Sequence, residues 1–339
     1  MVAEVSFPSR FGLASADNQN LFLKQYSGEV LTAFEDINIM RGLTRSRTIT
    51  QGKSAQFPLV GVATAAYHTP GEDILRNYTG TVNEPTYLSR PGTGEKVIEV
   101  DNILLSPILI SDIDEAMAHW DVRAPYATAQ GRALAEKYDL SLMQVCFNGS
   151  EKAATLSGEG SWGSGGEQII DSDFASSAAS IKATIEEAAV RFDQNDIPKE
   201  GRHFVLNPTQ YYMLVSNVGA STVSMASADF PGTGGDAGRG RVMMYQGFHL
   251  HSSNRVGDLL ALGSTTSADT GQRGTDYTGD FSAVEAIFFQ TEGLGTVQLL
   301  GLQLQTEYMI EFQATAVVAR MAVGHGVLHE AACGSVVST

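Results

Sequence analysis

The chain has 339 residues, 43% of them hydrophobic, and its 38 acidic and 22 basic side chains give a formal net charge of −16. The apolar content supports a real core and excludes disorder over most of the length, which suits one large or two modest domains. An acidic surface repels phosphate, and no Lys/Arg cluster stands out that would build a nucleic-acid-binding face.

Cys146 and Cys333 are too few and too far apart for a disulfide framework and read as buried thiols of a reducing compartment. The opening stretch MVAEVSFPSRFGLASADNQ has neither the basic leader nor the apolar core of a signal peptide, and no run is long enough to span a bilayer. A soluble, intracellular product is expected.

The first fifteen or so residues read as an arm. Phe22, Tyr26, Val30 and Ala33/Phe34 then form one helix-like stripe within Asp17 to Phe34. Thr48 to Ala63, around GKSAQFPLVGV, reads as extended chain. Tyr67 to Lys96 holds Pro70, Pro85 and Pro91 with four glycines and keeps no periodicity, and a loop of that length usually has a job or a partner. Val97 to Leu109 recovers strand character.

A long helical pattern follows from Ser111 to about Phe147. Ile113, Met117, Trp120, Ala124, Ala127, Gly131, Leu134, Tyr138, Leu142 and Val145 recur at three- or four-residue steps, the period of one helix face. Ser111 and Asp114 suit its N-terminus, and Pro125 predicts a bend or break between Val122 and Tyr126. The glycine-rich linker Ser157 to Gly166 leads to a second helix over Phe174 to Gln194, with Asp173 as its cap.

His203 to Leu206 reads as a strand, and Asn207-Pro208 as a helix start. Low-periodicity segments at Asp229 to Gly240 and Gly263 to Gly279 flank strands at Gly247 to Ser252 and Glu285 to Gln290. From Thr296 onward alternation dominates, notably at Ile310, Phe312, Ala314, Ala316 and Val318. No repeat of fixed period is present.

Motifs for chemistry fail on context. Gly52-Lys53-Ser54 imitates the end of a phosphate-binding loop, but Arg47 stands where that loop needs glycine and Gln56-Phe57-Pro58 argues against the helix that must follow. Gly232 to Ala237 imitates a dinucleotide fingerprint without a strand before it or a helix after it. His249/His251 and His325/His329 are pairs without a spaced third metal ligand, and Glu186-Glu187 lies on the solvent face of an amphipathic helix. No serine or cysteine sits in a nucleophile elbow. No catalytic, cofactor or metal site is expected.

The long helix, the long loop before it, the N-terminal arm and the β-rich C-terminus together resemble the HK97-type fold of tailed-phage major capsid proteins, an α+β fold. FLKQYSGEVLTAF (Phe22 to Phe34), GKSAQFP (Gly52 to Pro58), AAYHTPGE (Ala65 to Glu72), DIDEAMAHWDVR (Asp112 to Arg123) and VGHGVLHEAACGSVV (Val323 to Val337) are similar, in order, to the major capsid proteins of T-seven-like short-tailed phages. The resemblance implies an N-arm over 1–47, an extended loop over 48–98 and a peripheral domain over 99–200 whose spine helix runs from about 111 to 147. It further implies an axial domain over 201–295, with C-terminal strands over 296–339 returning to the peripheral domain.

By the same resemblance, copies form pentamers and hexamers of an icosahedral shell in the host cytoplasm, with a scaffolding protein and a portal protein as partners. The shell would enclose double-stranded DNA without sequence-specific binding, need no membrane, and belong to the virion. Phe22, Tyr26, Lys53, Gln56, Phe57, Tyr67, Asp121 and Arg123 are the expected subunit-interface residues, with packing into the parent subunit left open for Phe57 and Leu59. Asp121 and Arg123 fall near the expected break in the spine and are candidates to hold its bend. A shell protein of a bacterial encapsulated compartment with the same fold, or a soluble phage enzyme, are the alternatives.

Overall fold

The computed structural model describes residues 29–35, 37–61, 63, 65–68, 70–71, 92–117, 123–154, 165–220, 244–265, 272 and 276–338. Among them the chain forms α1 (29–35), a 3-10 turn (Arg41–Leu43), β1 (Arg45–Thr48), β2 (Ser54–Val60), β3 (Thr93–Glu99), β4 (Leu104–Ser111), α2 (Asp112–Met117) and α3 (Arg123–Glu151). There follow β5 (Glu167–Ile170), α4 (Ala178–Gln194), β6 (Arg202–Leu206), α5 (Pro208–Ala220), β7 (Met244–Tyr245), β8 (Phe248–Ser252) and α6 (Arg255–Leu262). The chain closes with β9 (Ser264–Thr265), β10 (Gly279–Asp280), β11 (Val284–Gln290), β12 (Leu294–Met309), β13 (Ala314–Val327) and β14 (Cys333–Val337).

Two larger sheets carry the fold. The six-stranded sheet has the order β5-β14-β11-β6-β8-β7 and mixes parallel and antiparallel pairs. Both faces of its centre are covered, which is why β6 reads as an uninterrupted buried run rather than an alternating one. On one face Phe204, Phe248 and Phe288 meet Ile181, Ile185 and Phe192 of α4 and Leu214 of α5. On the other, Val205, Ile287 and Phe289 join a second cluster with α3 and α6.

The four-stranded sheet has the order β1-β12-β13-β4. Its centre is a long antiparallel hairpin in which β12 contributes 16 residues and β13 contributes 14. Ile310 and Phe312, expected within a strand, instead occupy the reversal between them, where Gln313 takes φ 47°. The segment EYMIEFQ holds neither glycine nor proline, so its composition carries no turn signal.

α3 is the beam that joins the two sheets. Its 29 residues span about 43 Å, and it packs on β13 and β4 of one sheet and on β14 and β11 of the other. Leu134, Tyr138, Leu142 and Val145 supply the buried stripe that the periodicity predicts. Gln130, 1% exposed, ties the beam to the four-stranded sheet by donating to Ser106 O at 2.8 Å and Val317 O at 3.0 Å. Pro125 lies in the first turn of α3, where a missing N–H costs no helical bond. Residues 118–122, Trp120 included, fall outside the described residues. Ile113 and Met117 depart from the expected stripe, for on α2 they are 65% and 68% exposed.

Other boundaries shift for local reasons. Val97 to Leu109 divides between β3 and β4, and the strand within Tyr67 to Lys96 already begins at Thr93. The cap of α4 is Ser177, whose hydroxyl accepts from Ser180 N, whereas Asp173 O receives the N–H groups of Ser176 and Ser177 in the turn before it. Helix α6 and the length of the β12–β13 hairpin are not among the expectations from sequence.

The end of the N-terminal segment docks on the beam at two points. Asp139 accepts from Ile39 N at 2.9 Å and Met40 N at 3.1 Å. About two turns earlier on the beam, α1 crosses so close that a Cβ at Gly131 would stand 2.6 Å from Val30 O and 2.9 Å from Ala33 Cβ. Gly131→Val should therefore lift α1 off the beam, lowering stability by about 1–3 kcal/mol. Urea unfolding and faster tryptic cleavage at Arg41 are the measurements, and unchanged cleavage would contradict the docking.

Candidate subunit-contact site

The loop's two strands form their own antiparallel pair, β2 with β3, in register from Ser54↔Glu99 to Val60↔Thr93. The pair lies on the β12–β13 hairpin through Ala55, Phe57, Ile98 and Val100, which pack against Val297, Ala322 and Leu328. Glycines make this approach possible. A Cβ at Gly324 would lie 2.0 Å from Glu99 O, one at Gly326 2.8 Å from Ile98 Cγ1, and one at Gly295 2.7 Å from Ile98 Cδ1. Lys96 Nζ adds an ion pair with Glu330 Oε1, whose side chain is 7% exposed.

The residues expected from sequence fall in different places. Phe57 is 5% exposed and packs into its own subunit, with the Arg45 and Arg47 guanidinium groups 6.0 and 5.9 Å from its ring centroid. Lys53 pairs with Glu99 at 3.0 Å in solvent, beside a turn in which Gly52 takes φ 107°. Gln56 is exposed on β2, and its backbone oxygen accepts from Arg47 Nη1 at 2.7 Å. Tyr67 is fully exposed. Arg123 opens α3, while Phe22, Tyr26 and Asp121 lie outside the described residues, as do Gly232 to Ala237. The structure thus brings Lys53, Gln56 and Phe57 together on β2 and its leading turn.

Sequence reasoning missed two features. The first is a buried junction centred on His325, where five segments meet. His325 Nδ1 lies 3.1 Å from Thr296 Oγ1, which is 3.2 Å from Thr44 Oγ1 at the end of the N-terminal segment. Tyr138 of the beam meets the imidazole edge-on at 4.8 Å. Tyr277 OH accepts from His325 N at 3.1 Å and donates to Asp101 Oδ2 at 2.6 Å, just past β3. The sequence signal available was a histidine between two glycines in an apolar strand.

The second is an apolar knob. Ile310 and Phe312 at the hairpin reversal are 74% and 64% exposed. α2 starts beside them, with Asp112 N donating to Gln313 O at 3.2 Å and Tyr308 OH donating to Asp112 Oδ2 at 2.9 Å. Four large apolar side chains, Ile113, Met117, Ile310 and Phe312, are thus presented to water on neighbouring elements.

Among the described residues no group of three or more His, Cys, Asp or Glu side chains is arranged to hold a metal ion. No helix among them is long and apolar enough to cross a membrane. His203 Nδ1 lies 3.1 Å from His251 Nε2, with His249 alongside, whereas His325 and His329 part company because β13 ends between them. Cys146 and Cys333 are buried free thiols.

Residues 56–337 match the family model described as Gp10A-like major capsid protein. The major capsid protein of Escherichia phage T7 is 29% identical over 96% of this chain and 94% of that protein. The capsid structure of cyanophage P-SCSP1u superposes with a TM-score of 0.69 at 31% identity, covering 99% of both chains. The mature capsid of bacteriophage PhiM1, with a TM-score of 0.65 at 15% identity over 89% of this chain and 87% of that one, shares the fold.

Two expectations follow from the loop seat and the buried histidines. Gly324→Ala drives a Cβ into the Glu99 and Val100 backbone and should cost about 1–3 kcal/mol in urea unfolding. Gly301→Ala, which meets only the flexible Gln298 Nε2 at 3.0 Å, should change stability by less than about 0.5 kcal/mol. Burial lowers the pKa of His325 to about 3; burial, with the neighbouring His251 and His249 charges, lowers that of His203 to about 4. Both are neutral in the folded subunit and protonate near 6.5 when it unfolds, so their stabilisation is present above pH 6.5 and is lost as pH falls toward 4 and 3. Asp139, raised to about 6 by burial, runs the other way between its unfolded value and pH 6, offsetting part of the loss. A falling urea midpoint from pH 7 to 4, shallower in His203→Asn, is expected; an acid-insensitive midpoint would contradict it.

Proposed function

The chain belongs to the Gp10A-like major capsid proteins, and from that premise we propose how its parts meet their neighbours in the shell. The protein is a major capsid component of the tailed-phage head and virion, assembling into a shell; its role is structural rather than enzymatic. Pentamers and hexamers of this chain are the building units, with a scaffolding protein and a portal protein as assembly partners. The shell holds double-stranded DNA without reading its sequence, in keeping with a net charge of −16 that would not hold a polyanion in fixed register.

Residues 1–47 serve as the N-arm and 48–98 as the extended loop over the adjacent subunit. Residues 99–200 serve as the peripheral domain around the spine, 201–295 as the axial domain, and 296–339 as returning strands. Phe22, Tyr26, Lys53, Gln56, Tyr67, Asp121 and Arg123 face neighbouring copies, and Phe57 contributes by fixing the strand from which Gln56 projects. The observation that carries this reading is the exposed apolar surface of a single subunit. Covering each of the four knob side chains is worth about 1.5–3 kcal/mol, and many such contacts act together around a closed shell.

Negative-stain microscopy of the purified chain tests the reading: closed particles of uniform diameter are expected. Ile310→Asp with Phe312→Asp should leave a folded, soluble subunit by circular dichroism while abolishing particles. Normal particles from that variant would remove the knob from the contact set.

A further inference from the structure

The outer edge of the four-stranded sheet is occupied over only part of its length. β1 pairs in parallel with Gly295 to Gln298 of β12, and Ile49 N donates to Gln298 O at 2.9 Å before the chain turns away through Gly52. β12 continues to Met309, paired on its inner side with β13. After irregularities between Gln298 and Gln303, the register runs unbroken from Gln303↔Arg320 to Met309↔Ala314. No described strand lies on the outer side of this stretch; Leu304 packs on the core, while Gln303, Gln305, Thr306, Glu307 and Tyr308 are exposed, so from Gln305 onward neither face is covered.

A long, regular, open edge is a template for another strand, and proteins blunt such edges with proline, basic residues or shortness. The other outer strand of this sheet, β4, carries Pro107 in mid-strand. β1 is four residues long and holds Arg45 and Arg47. Gln303 to Tyr308 has none of these devices. Its one charge is Glu307, in a chain whose net charge of −16 sets copies against one another elsewhere. The edge also runs directly into the apolar knob at Met309 to Phe312.

We propose that the outer edge of β12 from Gln303 to Tyr308 is a strand-addition seat for an extended segment of a second copy of this chain. The added strand satisfies the outward N–H and C=O groups of the edge, and two acidic copies can approach there with little like-charge repulsion. The inference rests on the shell reading and deepens it by naming a backbone contact between subunits.

Hydrogen–deuterium exchange with peptide-level mass spectrometry, on unassembled subunits and on particles formed from the purified chain alone, tests it. Amides within 300–309 should exchange at least tenfold more slowly in particles, while those of β4, residues 104–109, change little. Gln305→Lys, which leaves pairing with β13 intact, should reduce particle yield several-fold without unfolding the subunit. Intact particles with unchanged exchange at 300–309 overturn the edge proposal and leave the shell reading standing. Protection that arises only when a second phage protein is present overturns a copy of this chain as the occupant.

Discussion

Backbone-to-backbone contact between the β2–β3 pair and the β12–β13 hairpin is the constraint on which the rest of the architecture leans. Gly324 admits the Glu99 carbonyl where any side chain would exclude it, and Gly326 and Gly295 make room for Ile98. Because β3 is pressed onto the hairpin, Asp101 arrives where Tyr277 can bond it, and Tyr277 in turn holds the backbone of His325. Thr296 and Tyr138 complete the enclosure. The loop, the beam, the hairpin and the end of the N-terminal segment are therefore referenced to one small buried volume. A displacement of one is felt by the others, since packed interiors transmit strain rather than absorb it.

That arrangement separates two kinds of apolar residue. Phe57, Ile98 and Val100 are consumed inside the subunit and seat the β2–β3 pair on the hairpin. Ile113, Met117, Ile310 and Phe312 are left outside, on elements braced by Asp112. Where identical copies build a shell through heterologous contacts that close into rings, projecting parts require rigid roots, and this division supplies them. The likeness to phage capsid chains along the full length, with identities of 29% and 31%, decides against a soluble enzyme and favours a phage head over an encapsulated-compartment shell.

Much of this was legible in the residues. The three- and four-residue recurrence from Ala127 to Val145 gave the beam, alternation gave β2 and β13, and Asn207-Pro208 marked the start of α5. What stayed hidden depended on distant partners. Ile310 and Phe312 continue a strand-like alternation, and only the pairing of β12 with β13 forces the chain to reverse there with no turn residue to announce it. Ile113 and Met117 keep helical spacing with the beam yet sit on a separate helix, so their period says nothing about which side faces water. Val323 to Gly326 was recognisable as a family word, but its reason is steric: the glycines answer to β3, more than two hundred residues earlier.

The β2–β3 pair is seated by its own subunit before any neighbour arrives. Thiol labelling of unassembled protein tests this directly, because Cys146 and Cys333 are buried and contribute little background. Ile98→Cys and Val97→Cys place probes on adjacent positions of β3, the first 3% and the second 49% exposed in the parent chain. Rapid modification is expected at position 97, with at least a hundredfold slower reaction at position 98. Equal, fast reaction at both positions in the free subunit would show an unseated β2–β3 pair and contradict this seating.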